Sequence, residues 1–320
     1  MMMPLRKLLM VFVLTCCTAL TYAQSDRPIT IVVPTAPGGG NDAMARTIGQ
    51  KMSVLLNRTV IVENRAGANG SLAAEYASKA PADGSVLMFG YVATHAMNPV
   101  LQKLRYDPIR DFEPVGRVGY SPTVMVLNPS VKATDMKSLL KMIKDKPEAF
   151  SFASAGNGTA PHFTAELFKL ATQAQILHVP YKGSSPAILD TIAGQTQMMF
   201  PSLFTALPYI KSGKLQAIAI AGASRSAVLP QVPTLKELGV EGVEVDQWYG
   251  FFAPAKTPKD VIVRLNIALN TALADPEIIK RIEGQGADVQ SSTPEQLGVL
   301  VRADLDKWRA VVQQAKLQAD

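Results

Sequence analysis

Cysteine is almost absent from this chain. Its two cysteines, Cys16 and Cys17, lie in an apolar N-terminal stretch, and none follows. A chain cleaved after that stretch has no disulfide, no thiol nucleophile and no thiolate metal ligand. Histidine is scarce too: His95, His162 and His178 are scattered, and none stands in a His-Glu-x-x-His arrangement. No metal site and no cofactor are expected. The sequence has no Gly-x-x-x-x-Gly-Lys-Ser/Thr phosphate loop. Ser154 lacks the Gly-x-Ser-x-Gly elbow of α/β hydrolases. No block of Lys and Arg occurs, so a clustered nucleic-acid surface is not expected. Past the N-terminus no apolar run approaches the ~20 residues that a membrane span needs.

What is present begins with an export signal. Arg6 and Lys7 form a positive start, Leu8 to Leu20 is almost wholly apolar, and Thr21-Tyr22-Ala23 is a small-x-small cleavage site. Residues 1–23 are therefore read as a cleavable secretory signal. The apolar run is short for a retained anchor, and Thr15 is a poor residue before a lipidated cysteine. Loss of Arg6 and Lys7 lowers the formal charge from +6 to +4, a mild basic bias spread along the chain. With 48% hydrophobic residues, the remainder is long enough for two α/β lobes with separate cores.

Short β-rich runs alternate with helical patterns. Strands are expected at Ile29–Val33, Val60–Glu63, Val86–Gly90, Thr123–Leu127, Ser151–Ala153, Ile176–Val179, Gln197–Phe200 and Leu215–Ala221. Helices are expected at Ala43–Leu56, Ser71–Lys79, Met136–Asp145, Pro161–Ala171, Pro186–Ala193 and Leu207–Ser212. The alternation predicts parallel βαβ units. The C-terminal third reads as helical. Thr257-Pro258, Asp275-Pro276 and Thr293-Pro294 mark helix starts, and Thr293 with Gln296 has capping-box spacing. Leu297, Leu300, Val301, Leu305 and Trp308 form an apolar stripe that should dock on the core. Tyr120–Leu127 and Gln247–Pro254 read as two crossovers between lobes. The lobes are then residues 24–122 with 246–320, and residues 123–245.

Two glycine loops stand out, each between a strand and a helix start. Pro37-Gly38-Gly39-Gly40-Asn41-Asp42 follows Thr30–Pro34, and Ser154-Ala155-Gly156-Asn157-Gly158-Thr159 follows Phe150–Ala153. Such a junction aims backbone N–H groups and the positive end of a helix dipole at an anion. Glycine permits the positive φ and the close ligand approach. Asp42 and Arg46 lie four apart and can pair. Thr159 can cap its helix or bond a ligand oxygen. Tyr181 and Lys182, after the strand ending at Val179, could reach a cleft. Tyr91, Thr94 and His95 occupy a similar strand-end position, where ligands of open α/β sheets bind.

The chain resembles the Bug-type receptors of tripartite tricarboxylate transporters. The resemblance runs through VVPTAPGGGNDAMAR (32–46), VENRAGANG (62–70), ADGSVLMFG (82–90) and YDPIRDFEPVGRV (106–118). It continues through FASAGNGTAPHFTAELF (152–168), HVPYKGSSPAILDTIAGQ (178–195), RSAVLPQVPTLKELG (225–239) and WYGFFAPAKTP (248–258). It implies a type II periplasmic-binding-protein fold, two α/β lobes joined by two hinge strands around a ligand cleft. It implies a periplasmic receptor, not an enzyme, that captures a small organic carboxylate by cleft closure and delivers it to a two-component membrane permease. A monomer is expected. Carried onto this chain, the carboxylate loops are Thr35, Ala36, Pro37, Gly38 and Gly39 with Asp42, and Ala155, Gly156, Asn157, Gly158 and Thr159. Tyr91, Thr94 and His95, and Ser202, Phe204 and Thr205, then read the rest of the ligand. None of these variable positions is acidic, which disfavours a ligand with a free amino group. Two alternatives remain open: a receptor that informs a sensor protein, and an exported hydrolase using Ser154 with a nearby histidine.

Overall fold

The computed structural model describes residues 27–315 and residue 317. The expected secretory signal, residues 1–23, lies outside the described residues.

The chain opens with β1 (Ile29–Val33), which leads through the first glycine loop into α1 (Gly40–Leu56). Next come β2 (Val60–Asn64), α2 (Ser71–Ser78) and β3 (Val86–Tyr91). A π-helical turn, Ala93–Met97, runs into the short α3 (Asn98–Leu101). β1 is made of β-branched residues and is buried on nearly every side. It pairs in parallel with β2, Ile29 opposite Val60, and with β3, Thr30 opposite Val86. Parallel central strands read as continuous apolar runs for this reason. α1 covers them with Met44, Ala45, Ile48 and Met52, and Asn57 ends the helix in the left-handed conformation at φ 47°.

β4 (Phe112–Leu127) is 16 residues long and is the structural spine. Sequence reading placed only Thr123–Leu127 in a strand. Pro114, Gly116 and Gly119 interrupt the apolar pattern of the first half, and the register against the partner strand shifts at those points. Bulges tolerate Pro and Gly within a strand, which is why the first half was not legible.

After β4 the chain forms α4 (Met136–Asp145), β5 (Ser151–Ser154), α5 (Ala160–Thr172), β6 (Leu177–Pro180) and α6 (Ser184–Ile192). It continues through β7 (Met198–Met199), α7 (Leu203–Lys211) and β8 (Gln216–Ala221) before returning along β9 (Asp246–Pro254). β5 pairs in parallel with β6 and β7, so the expected βαβ units are present in both halves. β9 runs antiparallel to β3 and to the first half of β4, and β8 runs antiparallel to the second half of β4. Thus β4 joins one sheet to the other. The order is β2-β1-β3-β9-β4-β7-β5-β6, with β8 also on β4.

The last third contains α8 (Lys259–Leu273), α9 (Pro276–Glu283), β10 (Asp288–Val289) and α10 (Pro294–Ala315). Leu265, Leu269, Leu297, Val301 and Trp308 join the core that contains β1 and β3. Leu300 and Leu305 pack against the same core while partly buried, so the expected stripe docks. Asp275 caps α9 through the Glu277 amide. The Thr293–Gln296 capping box forms in both directions, at 2.9 and 3.2 Å. Thr257 departs from expectation. Pro258 holds the N-cap position of α8, and the Thr257 hydroxyl donates to the Pro254 carbonyl at 2.7 Å. Two smaller cores flank the sheet built on β5.

Candidate functional site

The carboxyl ends of β1, β2, β3 and β5 meet at a cleft of about 660 Å³, within the usual range for small-molecule sites. The first glycine loop forms one wall through Thr35, Ala36 and Gly39. Gly39 is the N-cap of α1 and offers no side-chain cap. The amides of Gly39, Gly40 and Asn41 have no hydrogen-bond partner among the described residues. They stand at the positive end of a 17-residue helix.

Pro37, Gly38 and Asp42 are not on the cleft wall; they shape it from behind. Gly38, at φ 79°, donates its N–H to Asp42 Oδ2 at 2.9 Å. Asp42 also accepts from Arg46 Nε at 3.1 Å and from Asn64 Nδ2 at 2.9 Å. Asn64 in turn donates to the Thr35 carbonyl at 3.0 Å. Burial works to raise the Asp42 pKa, but the hydrogen bonds from Arg46, Gly38 and Asn64 and the Arg46 charge outweigh it. The carboxyl is held below its ordinary value. A bare carboxylate facing an anionic ligand would repel it; here that charge is buried and paired.

The second glycine loop contributes Ala155, Gly156, Asn157 and Thr159 to the opposite wall. Three of its amides are satisfied internally, the Thr159 N–H by the Gly156 carbonyl at 3.3 Å. Gly156 N–H bonds Ser154 Oγ at 3.1 Å, and Gly158 N–H bonds His162 Nδ1 at 3.3 Å. Gly158 itself lies behind the wall. The Thr159 hydroxyl neither caps α5 nor remains free to donate, because it donates to the Gly156 carbonyl at 2.6 Å. The glycines therefore act mainly through conformation, with Gly156 at φ 117° and Gly158 at φ 79°. Among the described residues, the Asn157 amide and its Oδ1 have no partner, and Thr35 Oγ1 is also buried unpaired.

The strand-end candidates divide. Tyr91 lines the cleft, and burial drives its pKa upward. Thr94 and His95 are fully buried and lie off the wall. Thr94 donates to the Tyr91 carbonyl at 3.0 Å and pairs with His95 Nδ1 at 2.9 Å. The His95 ring stacks on Phe252 at 3.8 Å, and burial pushes its pKa down to about 3. It is a neutral packing residue. Ser202 and Thr205 line the cleft and bond each other at 2.7 Å. Phe204 instead turns into the core beneath the start of α1, its N–H held by Ser121 Oγ at 3.0 Å. Tyr181 lines the cleft and donates to Asp190 Oδ2 at 2.8 Å. Burial first, and then Asp190, raise its pKa to about 12.

A third loop, Ala66-Gly67-Ala68-Asn69-Gly70, was not assigned to the site from sequence, yet all of it lines the cleft. Ala68 and Asn69 both have positive φ, 44° and 53°. A Cβ at Gly70 would lie 2.7 Å from Pro34 Cβ and from Thr94 Cγ2, so only glycine lets this loop press against the first. The Asn69 carboxamide donates to the Asn157 carbonyl across the cleft. The Asn69 carbonyl accepts from Asn98 Nδ2 at 3.0 Å. The available signal was position, since the loop follows β2 as the first glycine loop follows β1. Gln247 and Tyr249 of β9 were missed too; they line the cleft, and alternation in a crossover strand does not reveal which face meets a ligand.

Ser154 does sit beside a histidine, 2.7 Å from His178 Nε2. It is nevertheless fully buried, off the cleft wall, and occupied by the Gly156 amide. A substrate could not reach it. Its observable role is to hold the loop.

Residues 44–317 match the family described as the tripartite tricarboxylate transporter family receptor. The chain belongs to this receptor family. It is similar to the periplasmic binding protein BugD, at 32% identity and a TM-score of 0.87 over 92% of this chain and 99% of that one. It is also similar to Rhodopseudomonas palustris Rpa4515 with adipate, at 30% identity and a TM-score of 0.88 over 91% and 98% of the two chains. A third similarity is to Rhodopseudomonas palustris MatC with bound malate, at 32% identity and a TM-score of 0.84 over 89% and 99%. The mixed α/β architecture is thus the periplasmic-binding-protein fold, and the family is one of solute-binding receptors, not enzymes. The hydrolase alternative is overturned. Among the described residues no helix is long and apolar enough to cross a membrane.

Proposed function

We propose that this protein is a periplasmic receptor that captures a small organic carboxylate by cleft closure and delivers it to a two-component membrane permease. The unpartnered amides of Gly39, Gly40 and Asn41 at the start of α1 carry the reading. They offer neutral donors and a helix dipole to one carboxylate, in a cleft whose wall has no aspartate or glutamate among the described residues. An amino group there would be buried without a counter-charge, which favours unaminated acids. The bound adipate and malate of the similar receptors support the same ligand class.

The moving parts are residues 24–122 with 246–320, and residues 123–245. Residues 1–23 direct export and are removed, and the receptor works as a monomer. β4 and the run into β9 form the hinge, and both glycine loops meet the ligand when the lobes close. Closure favours the ligand only insofar as the closed form binds it better.

A thermal-shift screen of the ligand-stripped mature protein tests this. The panel holds mono-, di- and tricarboxylic acids, aromatic acids and nicotinate-like acids, with aspartate and glutamate as aminated controls. Binding at a hundredfold excess over Kd stabilises by about 2.7 kcal/mol. A concentration-dependent rise confined to unaminated acids supports the reading. No shift with any acid, or a shift with amino acids alone, overturns it.

A further inference from the structure

We propose that Lys182 reads a second carboxylate on the ligand, so that the cleft prefers diacids to acids of single charge. This rests on the carboxylate reading above. Lys182 is the single charged side chain on the cleft wall among the described residues. It is exposed, and it forms no ion pair or hydrogen bond with another described residue. Its charge is therefore not already balanced within the protein.

Its place is fixed by its neighbours. Tyr181 N–H donates to the Ser154 carbonyl at 3.0 Å, and Gly183 N–H donates to the Ala155 carbonyl at 3.1 Å. The residues on either side of Lys182 are thus fastened to the second glycine loop. The Tyr181 hydroxyl adds an anchor to Asp190 at 2.8 Å. Ser184 and Ser185 continue the same wall at the start of α6, which has no side-chain cap.

The free amides at the start of α1 lie on the other glycine loop. An acid anchored there must extend across the cleft before it meets Lys182. The two ends differ in chemistry. The α1 end offers neutral amides at a helix start, whereas the Lys182 end offers a full charge at an exposed edge. An ammonium adds most where the partner is also charged. A neutral ester or amide at that end would gain little from it.

The experiment is calorimetric titration of the mature protein with straight-chain diacids of four to six carbons and with their monomethyl esters. Wild type, Lys182→Met and Lys182→Arg are compared, with melting temperature as the fold control. The expected result is a diacid preference of about tenfold in the wild type. Lys182→Met removes that preference by weakening the diacid alone, and Lys182→Arg restores part of it. Raised salt should narrow the wild-type preference. Equal weakening of diacid and half-ester in Lys182→Met, or a diacid preference that survives it, overturns the proposal. If the wild type binds half-esters as well as diacids, the carboxylate reading stands and this proposal falls. If it binds neither, this proposal falls, and the wider acid panel above decides the carboxylate reading.

Discussion

The Asn69 side chain crosses the cleft and donates its amide hydrogen to the Asn157 carbonyl. It is a direct polar tie between the loop after β2 and the loop after β5. Asn69 is held for this by a left-handed backbone and by Asn98, which grips its carbonyl. Asn69→Gly keeps that backbone available and deletes the tie. A hydrogen bond of this kind contributes about 1 kcal/mol net, so ligand affinity should fall about fivefold by calorimetry. An unchanged Kd would show that the tie does not accompany binding.

Gly156 tolerates no side chain. At φ 117° a Cβ would stand 2.5 Å from Asn69 Oδ1 and 3.1 Å from the Tyr181 carbonyl. Backbone strain of this type costs about 1–3 kcal/mol, and the clash displaces the Asn69 tie as well. Gly156→Ala should weaken binding at least about tenfold while the far-ultraviolet circular dichroism stays native. Full affinity in this variant would remove the second loop from the site.

Asp42 should matter to the fold without touching the ligand. Its carboxyl is held below the ordinary value, so its share of stability is complete above the unfolded value of about 4. That share is lost as the pH falls through the lower folded value. Asp42→Ala strands Arg46, Asn64 and the Gly38 amide, and should cost about 2 kcal/mol at neutral pH. Its stability should also fall less steeply at acid pH than that of the wild type. Denaturant titrations from pH 3 to 7 measure both effects.

His95 adds to the same acid limb, starting at a higher pH. Its folded pKa, about 3, lies below the ordinary value, so the unfolded chain binds the proton first. The native state loses stability as the pH falls below about 6.5, by about 1.4 kcal/mol per pH unit from this residue. His95→Leu keeps an apolar group against Phe252 and should flatten that acid limb. Because His95 is off the cleft wall, ligand affinity at pH 7 should stay within about threefold, a difference of roughly 0.6 kcal/mol. A larger loss would return His95 to the binding wall.

Much of the fold was legible because its signals are local. The β-branched run Ile29–Val33 and the periodic Met136–Asp145 appear at their expected bounds. So do the caps at Asp275 and Thr293, each satisfied by a residue two or three positions on. The first half of β4 was not legible, because Pro114 and its glycines fit only as bulges against a partner strand more than a hundred residues away. In the site, strand–glycine–helix junctions located both predicted loops.

By itself the sequence determined where glycine frees the backbone, where helices begin, and that no thiol follows Cys17. These follow from the steric and hydrogen-bonding properties of residues a few positions apart. Only the tertiary structure decided which donors remain free for a ligand. It turned Thr94, His95 and Phe204 inward and left Tyr91 and Thr205 on the wall. It assigned the Gly38, Gly156 and Gly158 amides to Asp42, Ser154 and His162. It brought Asn69 to Asn157 and left Lys182 as the wall's single charge among the described residues. Those outcomes depend on sheet register and on which faces pack together, which no local run of residues encodes.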